Sequence, residues 1–261
     1  MRVMTATAPT LLAPDEPAAV RVLREAGASD FVFTADHAGK LIPRSLGNLG
    51  VPAPELERHI AWDIGIAGVS EHLSSILDAT TALQTYSRLV IDCNRDPSWP
   101  SAMPVLSEFS EIPGNRDLTE TDRAARTAEI FRPYHDRIAA LIDARAAAGR
   151  RTILVAMHSF TPVFKGEPRK IEVGVLYFKR TRLAEIMLDL LRQEPDLTVG
   201  ENAPYALTET SDYSIPFHAE RRALEHVEIE IRQDLIATPE GQVAWANRFA
   251  HWFATSLAQL G

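Results

Sequence analysis

Cysteine occurs once in this chain of 261 residues, at Cys93. No intramolecular disulfide can form, and no cage of thiolates is available for zinc, so a bound metal would have to be held by His, Asp and Glu. Long apolar runs are also missing. No stretch reaches the roughly 18 consecutive apolar residues of a membrane span. The opening MRVMTATAPTLLAPDEPAAV has one arginine and no sustained apolar block, so no secretory signal is read there and a cytoplasmic protein without membrane contact is expected. Positive charge is in deficit: 27 Lys and Arg against 35 Asp and Glu leave a formal charge of −8. That balance opposes the counterion release on which nucleic-acid binding depends, so nucleic acid is not expected as a partner.

What remains is ordinary in bulk and specific in pattern. Hydrophobic residues at 46% and charged residues at 24% match soluble globular proteins, and the length suits one α/β domain spanning 1–261. Residues 1–20, rich in Ala and Pro, read as a loosely ordered lead-in. Beyond them, β-rich runs at 30–35, 81–85, 87–93, 152–157, 171–178 and 226–232 alternate with helical runs at 54–78, 119–148, 181–193 and 239–259. That alternation predicts a sheet covered by helices on both faces. TETD at 119–122 is a capping signal, and Pro133 should kink or divide the helix that follows. Pro-rich irregular stretches fill 94–118 and 160–170.

Two apolar runs, FVFTADHAG and TILVAMHSF, end on a histidine, His37 and His158. Ligands of open α/β sheets bind outside the carboxyl ends of the strands, so both rings are expected at one edge. A loop histidine hydrogen-bonded to its surroundings is the plainer reading of either alone. If 54–78 is one helix, Asp63 falls on its apolar arc with Ile60, Ile64, Ile66, Ala67, Leu73 and Leu77. A carboxylate there needs a metal, a cation or several hydrogen bonds to offset desolvation. Glu57 points away from that arc and is the weaker candidate. Two imidazoles and one carboxylate form the ligand set of many catalytic zinc sites, although the chain has no HExxH. In HVEIEIRQDL, Val227, Ile229 and Ile231 alternate with Glu228, Glu230 and Arg232. That is the pattern of an exposed edge strand, or of a strand offering a general base.

SRLVIDCNRDP at 87–97, with HAG at 37–39, WDIG at 62–65, HSF at 158–160 and IEIRQDL at 229–235, resembles the N-formylglutamate amidohydrolase family. The similarity runs over most of the chain from about residue 30. It implies a three-layer α/β/α sandwich with a mixed, largely parallel central sheet, akin to zinc carboxypeptidases and peptidoglycan amidases. It further implies metal-assisted cleavage of an N-acyl amino acid, with one Zn²⁺ on His37, Asp63 and His158 and Glu230 as the catalytic carboxylate. A substrate of that class carries carboxylates, which suit arginine's planar fork; Arg95 is the first choice of clamp, with Asn94, Arg116 and Arg232 behind it. Two competing readings are a hydrolase using Cys93 or Ser159 as nucleophile, although no GxSxG surrounds Ser159, and a non-catalytic small-molecule binder.

Overall fold

The computed structural model describes residues 10–208 and 211–261. Residues 1–9 of the expected lead-in lie outside them. Seven strands build the central sheet: β1 (Val20–Leu23), β2 (Phe31–Ala35), β3 (Thr80–Gln84), β4 (Ile153–Phe160), β5 (Val173–Leu176), β6 (Val199–Glu201) and β7 (Glu225–Arg232). Their spatial order is β1-β3-β2-β4-β7-β5-β6. The four central strands β3, β2, β4 and β7 are parallel, β1 is antiparallel to β3, and β5 and β6 run against β7. The mixed, largely parallel sheet with helices on both faces is the α/β/α sandwich that the sequence predicts. No helix among the described residues is long and apolar enough to cross a membrane.

Strand periodicity sorts the two faces. Phe31, Phe33, Val155, Met157, Val227, Ile229 and Ile231 pack under α1 (Ile66–Leu77), α3 (Arg182–Arg192) and α4 (Pro239–Leu260). Val32, Leu154 and Ala156 face α2 (Arg132–Ala147) and the segment around Leu89–Cys93. Burying a large aliphatic or aromatic side chain stabilises by roughly 1.5–3 kcal/mol, so the two apolar layers clamp the sheet from both sides and hold its strand ends rigid.

Three expectations are corrected. The helix read over 54–78 is interrupted: Ala53–Leu56 is a single turn, and α1 begins only at Ile66. Gly65 enforces the break, because its φ is +83° and a Cβ there would meet the Ile236 carbonyl oxygen at 2.1 Å. Residues 87–93 form no strand, although Leu89, Val90, Ile91 and Cys93 are fully buried. Their backbone is satisfied by turns and by distant partners, such as Ser87 N to Leu41 O and Asp92 N to Ala102 O, and periodicity cannot separate that from a buried strand. β7 is no exposed edge either, since it pairs with β4 on one side and β5 on the other.

Smaller features follow their signals. Thr119 and Asp122 form the capping box, and a π-helical turn at Thr127–Phe131 precedes Pro133, whose missing N–H divides the long helix there. The described part of the expected loose lead-in differs from its signal: Leu11 and Ala19 are buried, and the Glu129 carboxylate accepts from the backbone N–H groups of Leu11 and Leu12 at 2.8 and 2.9 Å.

Candidate metal centre and catalytic cavity

β2 and β4 are neighbours, so their C-terminal ends bring the two histidines together. His37 sits two residues past β2, whereas His158 lies within β4, which continues to Phe160. Their ring centroids are 4.9 Å apart. Asp63 arrives from the turn ahead of α1, where its N–H donates to the His37 carbonyl at 2.9 Å. Its side chain is buried because of this turn, and the apolar helical arc that pointed to it does not exist. One atom each of His37, Asp63 and His158 lie within 4.8 Å of one another, and all three residues are buried. Asp63 Oδ2 is 3.5 Å from His37 Nδ1 and 3.1 Å from His158 Nδ1, and it accepts from Ser159 N at 3.1 Å.

A second layer of carboxylates orients the rings. His37 Nε2 meets Asp92 Oδ1 at 2.7 Å. A carboxylate only accepts, so that nitrogen carries a proton, and Nδ1 is the atom turned toward Asp63. His158 Nε2 is 3.6 Å from Asp36 Oδ2 and 3.9 Å from Glu228 Oε2. Asp36 is itself held by the Tyr134 hydroxyl at 2.7 Å. Arg88 donates to Asp92 Oδ2 at 2.8 Å and approaches Asp63 Oδ1 at 3.4 Å.

The donor set fits a divalent cation. Among the described residues, His37 Nδ1, Glu228 Oε2 and Glu230 Oε2 are buried polar atoms without a hydrogen-bond partner. Asp36, Asp63, Asp92, Glu228 and Glu230 are all buried here, and among the described residues Arg88 is the guanidinium that pairs with any of them. Such an excess of buried negative charge requires protons or a metal. Burial raises the cost of ionising Asp63 and Asp92, yet the imidazoles, and Arg88 at Asp92, hold both carboxyls below their usual range. Burial alone would depress His158, but Glu228, Asp36 and Asp63 raise it well above an ordinary histidine. Burial pushes Glu230 up to about 7 and Glu228 well above the carboxylate range.

These groups open onto a cavity of about 410 Å³ whose wall also includes Asn94, Arg95, Tyr205 and Asp212. The structure thus gathers His37, Asp63, His158, Glu230, Asn94 and Arg95 in one place. Arg116 and Arg232 are not brought there. Arg116 pairs with Glu111 on an exposed hairpin, and Arg232 is drawn to Asp234 and Glu172 beyond the end of β7. Glu57 is exposed and paired with Lys40. Cys93 is fully buried, with its thiol pushed up by burial and its sulfur 3.3 Å from Gln84 Nε2. Ser159 donates its hydroxyl to Ile64 O at 2.9 Å, so neither nucleophile has a base beside it. Sequence reasoning passed over Asp36, Arg88, Asp92 and Asp212. The first three stand in the quoted runs FVFTADHAG and SRLVIDCNRDP, but only folding shows what they touch.

A model of the N-formylglutamate amidohydrolase family matches residues 29–237. The chain belongs to that family, whose members are hydrolases of amide bonds. A crystal structure of a gene product from Agrobacterium tumefaciens is 41% identical, covers 96% of this chain and 99% of its own, and superposes with a TM-score of 0.92. An N-formylglutamate amidohydrolase from Ralstonia eutropha shares the fold at 21% identity and a TM-score of 0.62, covering 90% of this chain and 98% of its own. No curated protein matches the sequence.

Proposed function

We propose that the protein is a zinc-dependent amidohydrolase that cleaves the amide bond of an N-acylated amino acid of the N-formyl type, the class for which the family is named. The observation that carries this reading is the convergence of His37, Asp63 and His158 at the foot of a cavity that also exposes Glu230. Two imidazoles and a carboxylate suit zinc and leave room for a fourth partner. Zinc bound there supplies a Lewis acid for the amide carbonyl and acidifies water near neutrality.

The protein's own groups do the rest. Glu230, pushed up to about 7 by burial, is poised to take a proton from the attacking water. The oxygen bonds to the acyl carbon, the C–N bond breaks, and Glu230 returns the proton to the departing nitrogen, leaving a carboxylic acid and a free amino acid. Asp92 and Asp36 keep the imidazoles turned toward Asp63. Arg95, whose side chain is partly open to the cavity, holds the substrate's α-carboxylate.

The test is a screen of N-formyl, N-acetyl and N-carbamoyl amino acids with metal-depleted and zinc-reconstituted protein, together with elemental analysis. Zinc-restored release of amino acid at about one zinc per chain is expected. Equal turnover with and without metal would remove the reading.

A further inference from the structure

The guanidinium groups around the cavity differ in how far they are already engaged. Arg88 lies against Asp92 and Asp63. Arg95 Nη1 donates to the Asn94 carbonyl at 2.8 Å and stands 3.6 Å from Asp212 Oδ1. Arg58 pairs with Glu55 and with Glu108 on the cavity wall. Each of these three already faces a carboxylate of the protein itself.

Arg169 is the exception. It follows the short hairpin of Val163–Phe164 and Glu167–Pro168, and its backbone is pinned on both sides: its N–H donates to the Pro162 carbonyl at 2.8 Å, and its own carbonyl accepts from Arg232 Nη1 at 3.4 Å. The guanidinium lies over three rings that line the cavity, 4.7 Å from the centroids of Phe164 and Tyr205 and 5.6 Å from that of Phe160. Its Nη1 donates to the Tyr205 hydroxyl at 2.7 Å; among the described residues that is the one acceptor its side chain meets, and no carboxylate pairs with it. Ring faces attract a cation but leave most of its N–H groups unmatched. A half-buried arginine held in this way is a preformed fork for an anion. Lys165 likewise lacks a carboxylate among the described residues, but it is exposed at the hairpin turn and rests on a single ring, 5.5 Å from the Phe164 centroid. An amino acid whose α-carboxylate sits on Arg95 leaves its side chain to find a partner on the remaining wall. There the faces of Phe160 and Phe164 suit methylene groups, and Arg169 suits a terminal carboxylate.

We propose that Arg169 is a specificity-determining residue: on its platform of Phe160, Phe164 and Tyr205 it takes the side-chain carboxylate of an acidic N-acyl amino acid, while Arg95 takes the α-carboxylate. The inference rests on the amide-hydrolysis reading and deepens it by naming the group that selects the side chain. A partly desolvated cation placed to receive a carboxylate rejects the uncharged isostere, because the fork is then left unpaired.

Glutamate and glutamine form the sharpest pair of probes, because they share shape and differ in charge. For the wild-type zinc enzyme, kcat/KM for N-formylglutamate should exceed that for N-formylglutamine by at least about tenfold. Arg169→Met keeps an unbranched stem on the rings and removes the charge. It should shrink that ratio at least about tenfold, chiefly through KM, and Arg169→Lys should keep part of the preference. A residue that only braced the hairpin would lower both rates together and leave the ratio standing, which would overturn the proposal. So would a wild-type preference for glutamine, equal use of the two, or a ratio that survives Arg169→Met and falls in Lys165→Met. If neither N-formyl compound is hydrolysed, the amide-hydrolysis reading fails. Calorimetric binding of free glutamate and free glutamine to the zinc-loaded wild type and Arg169→Met proteins then tests the charge selection by itself. Tighter glutamate binding that depends on Arg169 supports the proposal, and equal affinity overturns it. Should Arg169→Met not fold, Arg169→Gln carries the same comparisons.

Discussion

Glu230 stands beside His158 in the parallel register of the two central strands β4 and β7. Both side chains project from the face that carries Leu154 and Ala156, so strand ladders on both sides fix the spacing between the proposed base and a proposed metal ligand. Glu228 lies one step earlier on the same face, beside Ala156. A carboxylate set by two ladders has little freedom to drift, which favours catalysis by a preorganised group.

Glu230→Gln preserves shape and removes the basic oxygen. Zinc content and binding of a product amino acid should be retained while kcat falls by on the order of 10²-fold or more. Glu228 sits one step earlier on the strand, beside Ala156 rather than the proposed ligand His158, and burial raises its pKa above the carboxylate range. Glu228→Gln should therefore reduce kcat much less. Loss of zinc from Glu230→Gln would make that residue a ligand; near-normal kcat would remove it from the chemistry.

Zinc binding should release protons. Burial alone would lower His158, but the carboxylates around it raise its pKa well above an ordinary histidine, which favours a proton on the metal-free ring. A group raised in the folded state contributes stability that is complete below its unfolded value near 6.5 and is lost as pH rises through the folded value. Metal must displace that proton, so zinc affinity should rise with pH. Calorimetric titrations in buffers of different ionisation enthalpy measure the release, and His158→Ala should bind zinc far more weakly. Undiminished zinc in His158→Ala would take the residue out of the site.

Much of this site was legible because strand ends are. FVFTADHAG and TILVAMHSF place their histidines on neighbouring parallel strands, and Val227–Ile231 alternate as a pleated strand must. Asp63 was reached through a premise that the fold rejects: Gly65, bound into left-handed geometry against Ile236, stops the helix whose arc singled the residue out. The second layer was illegible for a different reason. Asp92 reaches His37 across 55 positions and Asn94 reaches Asp212 across 118, and no local pattern encodes such pairs. Arg116 and Arg232 were chosen for their chemistry alone, and nearby acids on the exposed hairpin and at the end of β7 engage them instead.

The thiol should be dispensable. Cys93 is fully buried, its pKa is pushed up by burial, and its sulfur meets an amide of Gln84. Cys93→Ala removes one buried atom and should cost about 1 kcal/mol of stability while keeping most of the turnover. Inactivity in a folded, zinc-loaded Cys93→Ala protein would restore the nucleophile reading.

Acid should weaken the fold through a second pair of buried histidines, His135 and His218. His135 Nε2 meets the Cys93 carbonyl at 2.8 Å, and a carbonyl only accepts, so that nitrogen carries the proton. His135 Nδ1 must then accept from His218 Nε2, 2.9 Å away, and both rings are neutral. Burial lowers His135 to about 4 and His218 to about 2. Folded values below the unfolded 6.5 mean that the unfolded chain takes up protons first. The native state is fully favoured above pH 6.5 and loses ground as pH falls toward 4, by on the order of 3 kcal/mol at His135. His218→Gln leaves an amide to donate to His135 and removes one titrating ring. Urea midpoints of the metal-free proteins should show the wild type ahead at pH 7 and the gap narrowing by pH 4.5. Parallel declines in the two proteins would mean that the histidine pair does not set the acid limit.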